Sequence, residues 1–307
     1  NLGASDVMFD GNLNKWIRFA NTLKLRLLLR QSNLTDAESV AYVATQGATL
    51  NGSIFLEENA TVNPGYSSST TAQLNPFYSL FKTATGSDTA FFGYVKATAH
   101  IADFLNGDAP NSVIDLRRSR LYTLVDGAVS GAVQGALVGP ETMSGLGSGL
   151  IKAADQDGIV LSLAETNFMI SEAIERGIIT GTTLYTDAET PFYTAIEASF
   201  LTLGLTSANA FAYIGNSATT SGLGWNGGNH IEAIMTQKWI ATNGINAIES
   251  YIDMNRTGYP VIPMATNALY PTRPLRLLYP TSELVANSAN VPSVGLSQIF
   301  TQGPFWK

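Results

Sequence analysis

Residues 234–260 read IMTQKWIATNGINAIESYIDMNRTGYP. With Ile231 just upstream, Ile234, Met235 and Trp239 recur at helical spacing and predict one amphipathic helix. Asn243-Gly244 breaks it, and Ile245, Ile248 and Ile252 set the period of a second helix. The segment holds no nucleophile, no metal-ligand cluster and no phosphate loop. Its large side chains are therefore expected to build scaffold. Trp239 is expected to pack between helices, as large aromatics at helical spacing do. Asp253 and Arg256 are expected to pair locally and fix the chain's exit toward Gly258 and Pro260.

A similar pair lies upstream. Residues 160–177, VLSLAETNFMISEAIERG, predict a helix with Gly177 at its C-terminal end. Thr186 and Glu189 have capping-box spacing before a further helix at 188–203, striped by Phe192, Ile196, Phe200 and Leu203. This helix–loop–helix has the size of an antiparallel pair. Near the start, 12–31 carries an apolar stripe of Leu13, Trp16, Ala20, Leu23 and Leu27. Lys15, Arg18, Arg26 and Arg30 line its other face, which reads as a solvated surface or a partner for carboxylates rather than an anion site. Shorter helices are expected at 36–46, 94–106 and 281–288. Prolines at 260, 263, 271, 274, 280 and 292 forbid long helices in the tail. The class is mainly α, with little β and large irregular loops.

The loops have their own texture. Residues 59–81 and 201–231 are almost without charge and mix small polar residues with aromatics. SGLGSG at 144–149 lacks the spacing of a nucleotide loop, and DQDG at 155–158 reads as a turn rather than a calcium site. The chain of 307 residues has a net charge of −7, which argues against a nucleic-acid partner. Charged residues make up only 13% of it, about half the usual ~25%. There is no cysteine, so no disulfide or thiolate chemistry. His100 and His230 lie far apart in sequence, and neither a metal nor a cofactor is expected. The apolar run at 127–140 is too short and Gly-rich to span a bilayer.

Four blocks carry a resemblance. WIRFANTLKLRLLLR at 16–30 resembles a helix of the SusD/RagB family, surface lipoproteins that work with TonB-dependent outer-membrane transporters. LSLAETNFMISEAIERG at 161–177 resembles that family's acidic helix, with Ser171 where Ala is more usual. IMTQKWIATNGINAIESYIDMNRTGYP resembles its Q-K-W-I…W-x-D-x-R-R-T-G-x-P block, with Tyr251 in place of Trp and Asn255 in place of the first Arg. RPLRLLYPTSELVANSAN at 273–290 resembles its tail signature. The blocks keep family order and are most similar to the SusD-like branch. The resemblance implies tetratricopeptide-like helix pairs in an α/α superhelical frame. It implies one SusD-like domain over 1–307, the C-terminal two-thirds of a longer mature chain attached to the membrane through a lipid anchor upstream.

The same resemblance implies a nutrient-binding protein on the extracellular face of the outer membrane. Its expected ligand is a glycan or, alternatively, a peptide, and its expected partner is a SusC-like TonB-dependent barrel that it caps and supplies. It is not expected to be an enzyme. A glycosidase would need two carboxylates about 5–10 Å apart, and neither Glu57-Glu58 nor Glu165, Glu172 and Glu175 is singled out by an aromatic cleft. A helical-repeat adaptor without a small ligand is the other alternative. Sugars need flat aromatics and a few polar groups, so the ligand face is sought in loops 51–95 and 205–229. The candidates are Tyr66, Tyr78, Tyr94, Trp225 and Asn226, with Asn63, Asn75 and Asn229 as polar partners. Phe77, Phe81, Phe91 and Phe92 read as anchors of the loop to the core. Gly-rich polar flanks suggest exposure for Tyr66 and Trp225.

Overall fold

The computed structural model describes residues 3–108 and 112–304, so the end points 1 and 307 of the expected unit lie outside the described residues. It is mainly helical, as expected. The first helix, α1, runs Leu13–Arg30 behind an Asn12 cap, and α2 runs Ala37–Ala48 behind Asp36. A short strand, β1 (Ala60–Val62), precedes four small helices. These are α3 (Pro76–Phe81), α4 (Ala90–Tyr94), α5 (Ala99–Asn106) and α6 (Arg118–Leu121). Strand β2 (Gly158–Leu161) pairs antiparallel with β1, and Ser162 then caps α7 (Leu163–Glu175). The chain continues through α8 (Glu189–Thr202), α9 (Ser207–Ser217), α10 (His230–Thr242), α11 (Ala247–Thr257) and α12 (Thr281–Ala286).

Several expectations about elements need correction. The loop expected at 59–81 holds β1 and α3, and the helix expected from 160 starts only at Leu163, after β2. The 94–106 helix begins only at Ala99, because Thr98 turns extended and its hydroxyl accepts the Ile101 N–H. The loop assigned to 205–229 contains α9, closed by a capping box between Thr206 and Asn209. Helix α8 is preceded by Asp187, whose carboxylate accepts the Thr190 N–H, and not by a Thr186 cap. Stretches poor in charge and rich in Ser, Thr, Asn and Ala read as loop, but a buried face of Ala210, Tyr213 and Ser217 holds α9 in place.

Helix α7 is the centre of the frame, packed on α1, α8 and α10, while α10 also packs on α11. The main core joins Phe168, Phe192, Phe200, Tyr213, Ile234 and Met235. A second core joins α1 to α7 through Leu25, Leu28, Leu29, Met169 and Ile170. The α1 stripe is therefore rotated from its expected place, and Leu13 is 74% exposed. The stripe of α11 is reversed. Ile248 is 63% exposed, while Glu249, Asp253 and Arg256 are buried.

Those buried charges form one network. Arg26 and Arg30 of α1 reach Glu165 and Glu249 at 2.7 and 2.6 Å. Asn246 also donates to Glu165. Arg256 holds Glu172 with both terminal nitrogens and Asp253 at 2.8 Å. Lys238 lies 2.7 Å from the other oxygen of Asp253, and Arg176 bonds Glu172. Lys15 and Arg18 pair with Glu58 and Glu57. The basic face of α1 is thus a partner for carboxylates, and Asp253 and Arg256 pair as expected. Buried charge survives because each group finds an opposite partner. A second buried cluster holds Arg117 against Asp115, Ser199 and Gln237, with its guanidinium over the Phe200 and Tyr213 rings.

The network predicts acid sensitivity. Burial alone would raise the Asp253 pKa, but Lys238 and Arg256 outweigh it and hold the carboxyl at about 2. The unfolded chain binds this proton more tightly than the folded one. The stabilisation, on the order of 2 kcal/mol, is complete above the unfolded carboxyl value and is lost as pH falls from about 4 toward 2. Thermal unfolding followed from pH 6 to pH 3 should show a falling Tm, and Asp253→Asn should flatten that fall. An equal fall in the variant would refute the assignment.

Candidate binding site

Pairing β1 with β2 brings the loop at 59–77 against the segment 149–159. Between them, the end of α8 and the α10–α11 turn, lies a cavity of about 480 Å³. That volume is in the range of small-ligand sites. Tyr66 and Phe77 supply its aromatic surface, and Leu150, Ile159 and Ile245 supply aliphatic surface. Its polar lining includes Asn59, Thr61, Asn75, Lys152, Asp157 and Thr202.

Some of these polar groups are spent on the protein itself. Asn75 is buried, caps α3 through the Tyr78 N–H and donates to the Gln156 carbonyl. Asn59 accepts from the Leu163 N–H and donates to Thr202. Asn63 accepts from the Gly65 and Tyr66 N–H groups and donates to Asp157, so it aims Tyr66 and the carboxylate together. Spare capacity remains elsewhere. Lys152 gives one bond, to the Thr202 carbonyl at 2.6 Å, and an ammonium has three donors. Asp157 accepts one bond on each oxygen and keeps lone pairs free. Partial burial, with Arg120 nearby, draws the Lys152 pKa below its usual range against the pull of Asp157. A donor cluster beside an acceptor cluster, under an aromatic ring, suits a ligand whose hydroxyls both donate and accept.

Of the five candidate residues, only Tyr66 lines this cavity. Tyr78 is half-buried and does not line it, with its hydroxyl near Gly86. Tyr94 is 79% exposed at the end of α4, and Asn226 is exposed outside the cavity. The exposure expected of Trp225 is corrected. Its ring is 8% exposed, packs on Phe192 and stacks at 4.0 Å on His230, which pairs with Glu175. The Gly-rich flanks misled because Gly224 and Gly227 lie against the backbone of 217–221, a close approach that draws the segment inward. Of the four Phe residues read as anchors, Phe81 is buried while Phe91 is 48% exposed. Lys152, Asp157 and Thr202 were missed, since the β1–β2 pairing carries the first two to Tyr66 and the end of α8 brings the third.

Trp239 packs between α10 and α5 as expected, though not fully buried. It is half-buried, edge-on to Phe104 and tilted against His100, and it also lines a separate cavity. Glu165 and Glu172 are ion-paired inside the frame, and Glu57 and Glu58 are paired at the surface. Among the described residues, no three His, Cys, Asp or Glu side chains are grouped to hold a metal. No described helix is long and apolar enough to cross a membrane.

The helical frame carries a loop-built polar cavity with an aromatic wall. The chain belongs to the SusD-like family described as starch-binding and associating with the outer membrane, which matches residues 1–280. Solved structures share the fold. A SusD homologue from Bacteroides uniformis matches with a TM-score of 0.72 at 23% identity, over 100% of this chain and 67% of its own. A chitin-binding protein matches with a TM-score of 0.65 at 24% identity, over 93% of this chain and 62% of its own. A chitin-binding SusD homologue from Flavobacterium johnsoniae matches with a TM-score of 0.66 at 20% identity, over 94% and 62%. The chain spans 62% of the length of each of the two chitin-binding structures. No curated protein matches it.

Proposed function

We propose that the protein binds a neutral oligosaccharide in the cavity beneath Tyr66. As a lipid-anchored protein on the outer face of the outer membrane, it caps a SusC-like TonB-dependent barrel and passes the sugar to it. The observation that carries the binding reading is the juxtaposition of Tyr66, Lys152 and Asp157 around one cavity. An aromatic face covers the C–H side of a pyranose while ammonium and carboxylate take its hydroxyls. Membership of a family described as starch-binding and associating with the outer membrane supports the capping role.

Calorimetric titration with maltooligosaccharides and chitooligosaccharides tests it. Saturable binding of one series is expected, and Tyr66→Ala should weaken it at least about tenfold, the loss of a central aromatic contact, with little change in Tm. Binding that survives Tyr66→Ala undiminished would sink the site. Gentle extraction from outer membranes should bring a large barrel protein with it. Recovery of the protein alone would count against the capping role.

A further inference from the structure

The turn between α10 and α11 borders two cavities. Gly244 and Ile245 face the Tyr66 cavity, while Asn243 and Ala247 face a second one of about 240 Å³. Drug-sized ligands fill roughly 300–1,000 Å³, so the second cavity suits a single ring. Its wall is Trp239, held from behind by Phe104 and His100. Tyr251 stands beside it, fixed by a 2.6 Å bond from its hydroxyl to the Pro274 carbonyl. Met254 and Ile262 supply apolar surface.

The polar groups are few and partly unspent. Asn243 donates its amide to the Tyr122 hydroxyl, and its side-chain oxygen has no partner among the described residues. The Gln134 carboxamide is likewise unengaged, its backbone carbonyl being the group that accepts from Thr266. Arg273 is the charged member. One terminal nitrogen donates to the carbonyls of Ile262 and Pro263 at 2.8 and 2.7 Å, which pins the guanidinium in place. No carboxylate among the described residues lies within ion-pair distance of it. Arg26, Arg30, Arg117, Arg176 and Arg256 each have one, whereas the half-buried Arg118, Arg120 and Arg276, like Arg273, do not among the described residues. Met254, Ile262 and Arg273 continue into an adjoining open groove, which leaves room for more chain beyond one ring.

We propose that this cavity is a second sugar subsite that takes a single pyranose bearing a carboxylate, stacked on Trp239 and held by the guanidinium of Arg273. Among the described residues, Nη1 and Nε of Arg273 keep unspent donors that a carboxylate can accept from, and such charge-assisted bonds are stronger than neutral ones. The amide oxygen of Asn243 and the Gln134 carboxamide are placed for ring hydroxyls. The site shares no residue with the Tyr66 cavity, so it stands whether or not that cavity binds a glycan.

Titration of the full chain with sodium glucuronate, followed by NMR or calorimetry, tests the proposal, with glucose and sodium acetate as comparisons. Saturable binding of glucuronate is expected, at least about tenfold tighter than either comparison. Arg273→Gln should weaken it at least about tenfold, and Tyr66→Ala should leave it unchanged. Ala247→Trp, at the exposed mouth of the cavity, should abolish binding at unaltered Tm, so the proposal stays testable if Arg273→Gln does not fold. Equal binding of glucose or acetate, glucuronate binding that survives Ala247→Trp, or loss of binding in Tyr66→Ala would each overturn it.

Discussion

Replacing Arg256 by alanine is expected to cost about 3–5 kcal/mol of unfolding free energy. The guanidinium is buried where α7, α10 and α11 meet, and it holds Glu172 with both terminal nitrogens. It also bonds Asp253, and it reaches the Ser32 hydroxyl just beyond α1. Removing it leaves two buried carboxylates with one cation each, Arg176 for Glu172 and Lys238 for Asp253. Taking away one partner of a buried pair costs more than the pair itself contributes, because the remaining charge cannot regain water. Arg256→Lys should fall between the two, since it restores a charge but not the fork. Denaturant unfolding of the three proteins checks the order. A loss below 1 kcal/mol for the alanine variant would mean that the network relaxes around the hole.

Trp225→Ala is expected to be nearly as costly, about 3–5 kcal/mol. The indole fills the space between Phe192 and the stacked His230, within the core that joins α8 and α10. Truncation removes a large buried surface and leaves a void that the Gly-rich segment around it cannot close, since Gly224 and Gly227 already touch backbone. Binding by any variant protein that remains folded should be unchanged, because Trp225 does not line the Tyr66 cavity. Lower affinity at unaltered Tm would restore it to the ligand face.

Much of the frame was legible because helix periodicity and end signals are local. Asn12, Asp36, Gly177 and Gly258 mark ends that the structure keeps. Which face of a helix turns inward was less legible. On α11 the period is right and the chemistry is opposite. Ile248 faces outward and Glu249, Asp253 and Arg256 face inward, because cations from α1 and α10 meet them there. On α10, Gln237 and Lys238 are buried beside Ile234 for the same reason: the former donates to Tyr213 and accepts from Arg117, and the latter pairs with Asp253. A hydropathy pattern scores a charge as a surface residue and does not know its partner.

The candidate cavities were legible only in part. Tyr66 was read from its polar setting, and Trp225 was misread from the same signal. By itself the sequence determined the helical class, the approximate bounds of the longer helices and the scaffold role of Arg256 and Asp253, since these rest on short-range spacing. Tertiary structure alone decided that Lys152, Asp157 and Tyr66 share one cavity, and that Trp239 and Arg273 share another. Tyr66 lies dozens of residues from Lys152 and Asp157, as Trp239 does from Arg273. Only strand pairing and helix packing determine which distant side chains meet, and no local pattern encodes that choice.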